Sequence, residues 1–393
     1  MPRVSPFTGL LFDLSRAGPL DGVVAPPYDT ISPEQEHRLR AASPHNVVRL
    51  ILARQEPGAD SDASGAPGTA SGYARAAQHL RRWEEEGILV PTPRSAWYPY
   101  EMRFTYQGER RRVRGVICQV ELEPWGGSIV PHEATLASSI ADRLSLLRHV
   151  QANLSPVYAL ARGPSQPMAE LLGEVASAPP DRATVDDEGV EHRMWILEDA
   201  PQITDWLRRE QLLIADGHHR YSVALAYREE MRAQHGHGPW DHMMMLVVDA
   251  GQEDPPVLPI HRVLVDGPIP MEGPPVRDLA EILAVIRDDD LTYGTASGED
   301  GGVVHRVGSL RGGPPTVCAL HDQVLGASRV RFLPDAAAAE AAVLGSEAPA
   351  AFFLPPTRVD RIRAVIERGE RLPQKSTYFW PKPRTGMVIR PLR

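Results

Sequence analysis

The chain has 393 residues, with 42 Lys+Arg against 51 Asp+Glu and a formal net charge of −9, which leaves no global basic footprint for nucleic acid. A hydrophobic fraction of 42% is enough to bury a core and excludes wholesale disorder. No run of about 18 apolar residues argues for a membrane span, and Met1-Pro-Arg-Val-Ser-Pro-Phe7 lacks the features of a secretory signal.

In chain order, Gln55–Gly72 is small, polar and Gly/Pro-rich, and reads as a flexible loop. An amphipathic pattern from Tyr73 to Trp83, closed by Gly87, predicts a helix. Tyr98–Tyr106 and Val113–Glu121 flank Gln107-Gly108 and predict an antiparallel hairpin, with the basic run Arg110–Arg114 as a solvated strand edge. Helical spacing at Ile140, Leu144, Leu147 and Gln151 predicts a helix from Ser139 to Gln151. Short strands are expected at Val157–Ala161, Arg193–Leu197 and Gln211–Ala215, then a helix from Gly217 to Ala233 and an apolar strand at Met243–Asp249. Beyond Asp266 the texture changes to helix, acidic turn, Gly-rich loop and strands. It closes with a strand at Ala351–Leu354 and a helix near Arg358–Arg368. This alternation favours a mixed α/β (α+β) fold with a substantial antiparallel share. Three parts are expected: 1–92 as an N-terminal elaboration, 93–266 as a core and 267–393 as a C-terminal lobe. Cys118 and Cys318 lie in apolar surroundings with no C-x-x-C partner, which fits buried thiols and a cytoplasmic location.

The most informative stretch is Leu212-Leu-Ile-Ala-Asp-Gly-His-His-Arg-Tyr221, an apolar strand running directly into a helix. Asp216 is placed to cap the helix, and Gly217 permits close backbone approach. The helix start attracts an anion, and His218, His219 and Arg220 add donors and a bidentate phosphate ligand. In Val130-Pro-His-Glu-Ala-Thr135, Pro131 restrains the backbone beside His132 and Glu133. Glu133 reads either as a general base or as a first-turn glutamate favouring the macrodipole. Asp142-Arg143 follows in the predicted helix. Asn153 and Ser155 in Gln151–Pro156 read equally as caps or ligand contacts. Ala25-Pro-Pro-Tyr-Asp-Thr30 and Leu258-Pro-Ile-His-Arg262 are weaker candidates, each also explained as a turn or a surface cation.

The basic residues comprise 40 Arg and 2 Lys, and both lysines fall in Lys375-Ser-Thr-Tyr-Phe-Trp-Pro-Lys382. Gly369-Glu-Arg-Leu-Pro-Gln-Lys-Ser376 comes close to a phosphate loop, but Gln374 replaces the second glycine and a helix leads in. Lys375, Ser376 and Thr377 still offer a point charge and two hydroxyls to phosphoryl oxygens, whereas Lys382 is left undecided. Adjacent His218-His219 is poor metal-ligand spacing, so a structural zinc site is not expected. A Mg²⁺ held by a carboxylate and substrate phosphates is the more natural metal, with its protein ligands unknown.

Together, Ala25-Pro-Pro-Tyr-Asp29, Pro131-His-Glu-x-Thr135, Asp142-Arg143, Asn153-x-Ser-Pro156, Ala215–Tyr221 and Lys375–Lys382 resemble the bacterial family called domain of unknown function 1015. The Asp-Gly-His-His-Arg box and upstream His-Glu also resemble free-serine kinases of the ParB/sulfiredoxin superfamily. That resemblance implies a ParB/sulfiredoxin-like core and a nucleotide, ATP or ADP, at the helix start. It implies Glu133 as base, Asp216 and His219 as catalytic pair, and Gly217, His218 and Arg220 around the phosphates. His132, Arg143 and Asn153 are the expected substrate contacts, and Lys375, Ser376 and Thr377 the added phosphate ligands. The expected function is a kinase acting on a small hydroxylated metabolite such as free serine. A ParB-like nucleotide switch or NTPase is the alternative, and a nucleic-acid-binding or nuclease module is less favoured.

Overall fold

Residues Tyr98–Tyr106 and Glu109–Glu121 pair antiparallel through a two-residue turn. Gln107 and Gly108 both take positive φ there (51° and 81°), the backbone that a tight right-twisted hairpin requires. The computed structural model describes residues 1–53, 70–133, 137–161, 163, 165–250, 254–269, 272–299, 302–313 and 315–393. Most of the loop expected at Gln55–Gly72, and Thr135 of the His-Glu motif, lie outside the described residues.

The chain divides into two units. Met1–Val130, Thr135–Pro255 and Pro381–Arg393 form the first, and Pro131–Ala134 with Pro256–Trp380 the second. Residues 1–92 thus fall in the same unit as most of the expected core, and the C-terminal tail returns to it. The fold is mixed α/β.

The first unit is built on a sheet ordered Ile129–Pro131, Leu212–Asp216, Val157–Ala161, His242–Asp249, Glu109–Glu121, Tyr98–Tyr106, Glu191–Met194 and Arg182–Val185. Val4–Ser5 also pairs with Glu109–Glu121. His242–Asp249 runs parallel to Val157–Ala161 and antiparallel to Glu109–Glu121, joining the βα half of the sheet to the hairpin half. Val157–Ala161 and residues 243–248 are apolar and buried along their whole length because both faces of the sheet are covered there. Tyr221 and Ala224 of helix His218–His235 join Ile214, Val157 and Met245 in the core. Helix Ala137–Val150 packs between that helix and helix Ala70–Glu85. The strand expected at Arg193–Leu197 lies two residues earlier, at Glu191–Met194, with Leu197 making a separate bridge to Trp97.

The second unit carries an antiparallel sheet ordered Pro275–Val276, Gly302–Ser309, Thr292–Glu299, Ala350–Phe353, His261–Asp266 and Arg329–Leu333. Helices Leu279–Val285 and Ala336–Leu344 close its core through Ile282, Ala339 and Val343. A small pair, Val257–Leu258 with Tyr378–Phe379, anchors the lysine segment. Among the described residues no helix is long and apolar enough to cross a membrane.

Candidate functional site

Strand Leu212–Asp216 has a register shift between Ile214 and Asp216, a bulge that re-aims the last side chain. Gly217 then adopts φ 93° and ψ 27°, a left-handed conformation that glycine reaches without a Cβ penalty. This corrects the sequence expectation, because Gly217 takes the cap position with no side-chain cap bond. The Asp216 carboxylate is released to face cations. Arg220 Nη2 donates to Asp216 Oδ2 at 2.5 Å and Lys382 Nζ to Oδ1 at 2.5 Å, while Asp29 Oδ2 lies 3.8 Å from the same ammonium. Arg220 Nη1 also donates to the Pro156 carbonyl at 2.5 Å, so its fork is oriented by the chain itself.

Beside this ion cluster lies a cleft whose lining includes Tyr28, Arg143, Asn153, Ser155 and Arg220, with Ile51, Leu146, Leu147, Val150, Val223 and Met243 forming an apolar wall. Four separated motifs therefore meet at one place. The Arg143 guanidinium sits 4.5 Å over the Tyr28 ring and donates to Asp142 and to the Ile51 carbonyl. Burial, followed by the nearby Asp29 charge, pushes the Tyr28 hydroxyl above its usual range, against the opposing pull of Arg143 and Arg220. Tyr73 donates to Asp142 at 2.6 Å; burial and that bond push its hydroxyl up to about 12. Ser155 Oγ lies 2.6 Å from Thr385 Oγ1, and Thr385 pairs through its backbone with Ala25, tying the Pro-Pro-Tyr-Asp turn to the C-terminal tail.

Two of the expected ligands are committed to the fold. Asn153 is buried, and its Oδ1 accepts from Met244 N at 3.0 Å and from Arg390 Nη1 at 3.2 Å. His218 is also buried, with its ring stacked 6.3 Å from Trp125. His219 is half-buried on the first helical turn.

Glu133 and Lys375 come together in the second unit. Lys375 N donates to Glu133 Oε2 at 3.2 Å, and Ser376 N and Thr377 N donate to Oε1 at 2.9 and 3.0 Å. Thr377 Oγ1 adds a bond to Oε1 at 2.9 Å. Successive N–H groups converging on one anion form a nest, and the positive φ of Lys375 (54°) supplies its left-handed member. His132 is fully buried, with Nε2 2.6 Å from Thr377 Oγ1, so it orients the nest from behind. As a substrate contact it would have to give up that position. Asp216, His219 and Lys382 belong to the first unit, and Glu133 and Lys375 to the second.

Lys382 is undecided from sequence, and Tyr28 and Asp29 are weak candidates there, whereas Lys382 and Asp29 belong to the ion cluster and Tyr28 lines the cleft beside it. Their signals were the scarcity of lysine and the rigid Pro-Pro-Tyr-Asp turn. Among the described residues no group of three or more His, Cys, Asp or Glu could hold a metal ion. The carboxylates Asp29 and Asp216 converge on an ammonium instead, so these residues do not build a magnesium site of their own.

The profile of the family described as "Protein of unknown function (DUF1015)" matches residues 4–303, and the chain belongs to that family. No curated protein matches it. Among solved structures, a free serine kinase in complex with AMP overlaps 66% of this chain and 89% of its own, at TM-score 0.36 and 12% identity. A conserved hypothetical protein from Pyrococcus furiosus overlaps 65% of this chain and 90% of its own, at TM-score 0.34 and 12% identity. SbnI with a C-terminal truncation, from Staphylococcus aureus, overlaps 66% and 82%, at TM-score 0.35 and 12% identity.

Proposed function

We propose that this protein binds a nucleotide, ATP or ADP, and transfers a phosphoryl group to the hydroxyl of a small metabolite such as free serine. The observation that carries this reading is the cleft in which Tyr28, Arg143, Ser155 and Arg220 meet beside the Asp216–Lys382 pair, at the start of an 18-residue helix. The apolar wall suits a base. The helix-start N–H groups at Gly217 to His219, with Lys382 and Arg143, suit phosphate oxygens. Asp216 holds Lys382 and Arg220 in place, which is the positioning and charge neutralisation that phosphoryl transfer chiefly needs. In the reaction the acceptor oxygen bonds to phosphorus, the bond from phosphorus to the donor's bridging oxygen breaks, and the hydroxyl proton passes to a base. His219 on the first turn is the candidate base of this cleft, and Glu133 belongs to the second unit. Glu133 could serve only by exchanging at least one of its hydrogen bonds to Lys375–Thr377 for the acceptor.

That engagement of Glu133 favours one second reading, a nucleotide-binding switch or NTPase without a small-molecule acceptor. Incubation with ATP, ADP or pyrophosphate and a panel of amino acids, followed by phosphorus NMR, separates the two. A phosphorylated hydroxy amino acid is expected. Nucleotide binding without any phosphorylated product would overturn transfer and leave the switch.

A further inference from the structure

Two features of the second unit are left unexplained by the cleft. The first is the nest itself: Lys375, Ser376 and Thr377 aim three consecutive N–H groups and a hydroxyl at one point, beside a lysine. Such a concavity suits a compact oxyanion, and here the Glu133 carboxylate fills it. The second is Arg262, from the Pro-Ile-His-Arg segment, which is 0% exposed. Its Nη1 donates to the Ile260 carbonyl at 2.5 Å and its Nε to His321 Nε2 at 3.2 Å, but its buried Nη2 has no partner. An orphaned donor on a buried guanidinium is costly and calls for an anion. Burial pulls Arg262 down to about 10, and the charge that opposes this is that of Glu133. His261 and His321, both pulled down to about 4 by burial and by Arg262, are neutral and supply no charge of their own at neutral pH.

We propose that the Lys375–Thr377 backbone is an oxyanion site in its own right, with the Glu133 carboxylate as its resident occupant, and that an entering phosphoryl group displaces Glu133 toward the unpartnered Nη2 of Arg262. Glu133 is then a carboxylate with two positions. One is held by the nest and the other by the buried guanidinium, and phosphate selects between them. The proposal rests on the assignment of the lysine segment to phosphate. It does not rest on transfer, because binding needs no acceptor and no turnover.

The experiment is calorimetric titration of the full chain with inorganic pyrophosphate, with circular dichroism to verify the fold of each variant. Glu133→Ala empties the nest and is expected to bind at least tenfold more tightly than wild type. Glu133→Gln keeps one carbonyl acceptor for Ser376 and Thr377 and is expected to fall between the two; equal gains in both variants would mean mere loss of negative charge and would overturn the displacement. Lys375→Gly tolerates the positive φ and keeps the backbone. In the Glu133→Ala background it should lose most of the gain, which isolates the ammonium. Pyrophosphate affinity of Glu133→Ala within twofold of wild type would reduce Glu133 to a structural tether. Should Glu133→Ala fail to fold, Glu133→Gln against wild type decides in the same way: no gain overturns the proposal.

Discussion

Lys382 sets its ammonium 2.5 Å from Oδ1 of Asp216, while Arg220 holds Oδ2 of the same carboxylate at 2.5 Å. Both acid oxygens are thereby directed at cations, and the Lys382 side chain is only 9% exposed. A compact ammonium reaches both Asp29 and Asp216 here, in a chain whose basic residues are 40 Arg and 2 Lys. Lys382→Met should lower stability by about 1–3 kcal/mol, less than full loss of a buried pair because Arg220 remains. It should also weaken ADP binding at least tenfold in calorimetric titration. In the double variant with Asp216→Asn the stability loss should be smaller than the sum of the two single losses. Additive losses would show that the pair is not coupled.

Gly217 offers a sharper test of the same corner. A Cβ there would lie 2.9 Å from Arg220 Nη2 and 3.0 Å from its Cζ, on a backbone already at φ 93°. Gly217→Ala should cost about 1–3 kcal/mol of stability from left-handed strain alone. It should also push Arg220 off Asp216, reducing nucleotide affinity. In an Arg220→Ala background the added methyl should cost less, since the contact is gone; an unchanged cost would place the whole effect in the backbone.

What could be read from sequence depended on whether an interaction was local. The Gln107-Gly108 hairpin and the strand-to-helix junction at Asp216-Gly217 both follow from neighbouring residues and appear as expected. The Lys382–Asp216 pair joins positions 166 apart and the Glu133–Thr377 bonds span 244, and no spacing rule reports such contacts. An aspartate before a helix ordinarily caps it, whereas the bulge and the left-handed Gly217 turn Asp216 toward Arg220 and Lys382. Nor does sequence tell which of two adjacent histidines is buried: His218 stacks on Trp125, while His219 stays half-exposed.

Glu101 should separate folding from binding. It is 1% exposed and accepts from Arg103 at 2.6 Å, Arg114 at 2.7 Å and Arg193 at 3.1 Å. Burial alone would raise its carboxyl, but the hydrogen bonds and charges of Arg114, Arg103 and Arg193 outweigh it and hold the group below the usual range. Glu101→Gln leaves three arginines sharing a neutral acceptor and should cost about 3–5 kcal/mol in urea unfolding. Neither Glu101 nor these arginines line the cleft, so ADP affinity of the folded fraction should stay within twofold of wild type.

The second unit should weaken in mild acid, and His261 gives the sign. Its ring is 2% exposed, lies tilted with its centroid 5.5 Å from that of Phe353 and accepts from Leu354 N at 3.2 Å through Nδ1, which requires the neutral imidazole. Burial, then Arg262, pulls it from 6.5 down to about 4. Between those values the unfolded chain binds a proton that the folded chain refuses. The stability is therefore fully present above about pH 6.5 and is lost as pH falls toward 4, by roughly 3 kcal/mol for this one group. His321, pulled down to about 4 by burial and Arg262, adds to the same slope. Urea unfolding at half-unit steps from pH 7 to pH 4, monitored by near-ultraviolet circular dichroism, should show stability falling throughout. In His261→Gln, which has no imidazole to protonate, the decline should be shallower by about 1 kcal/mol per pH unit across that window. An equally steep decline in the variant would assign the acid sensitivity to carboxylates elsewhere.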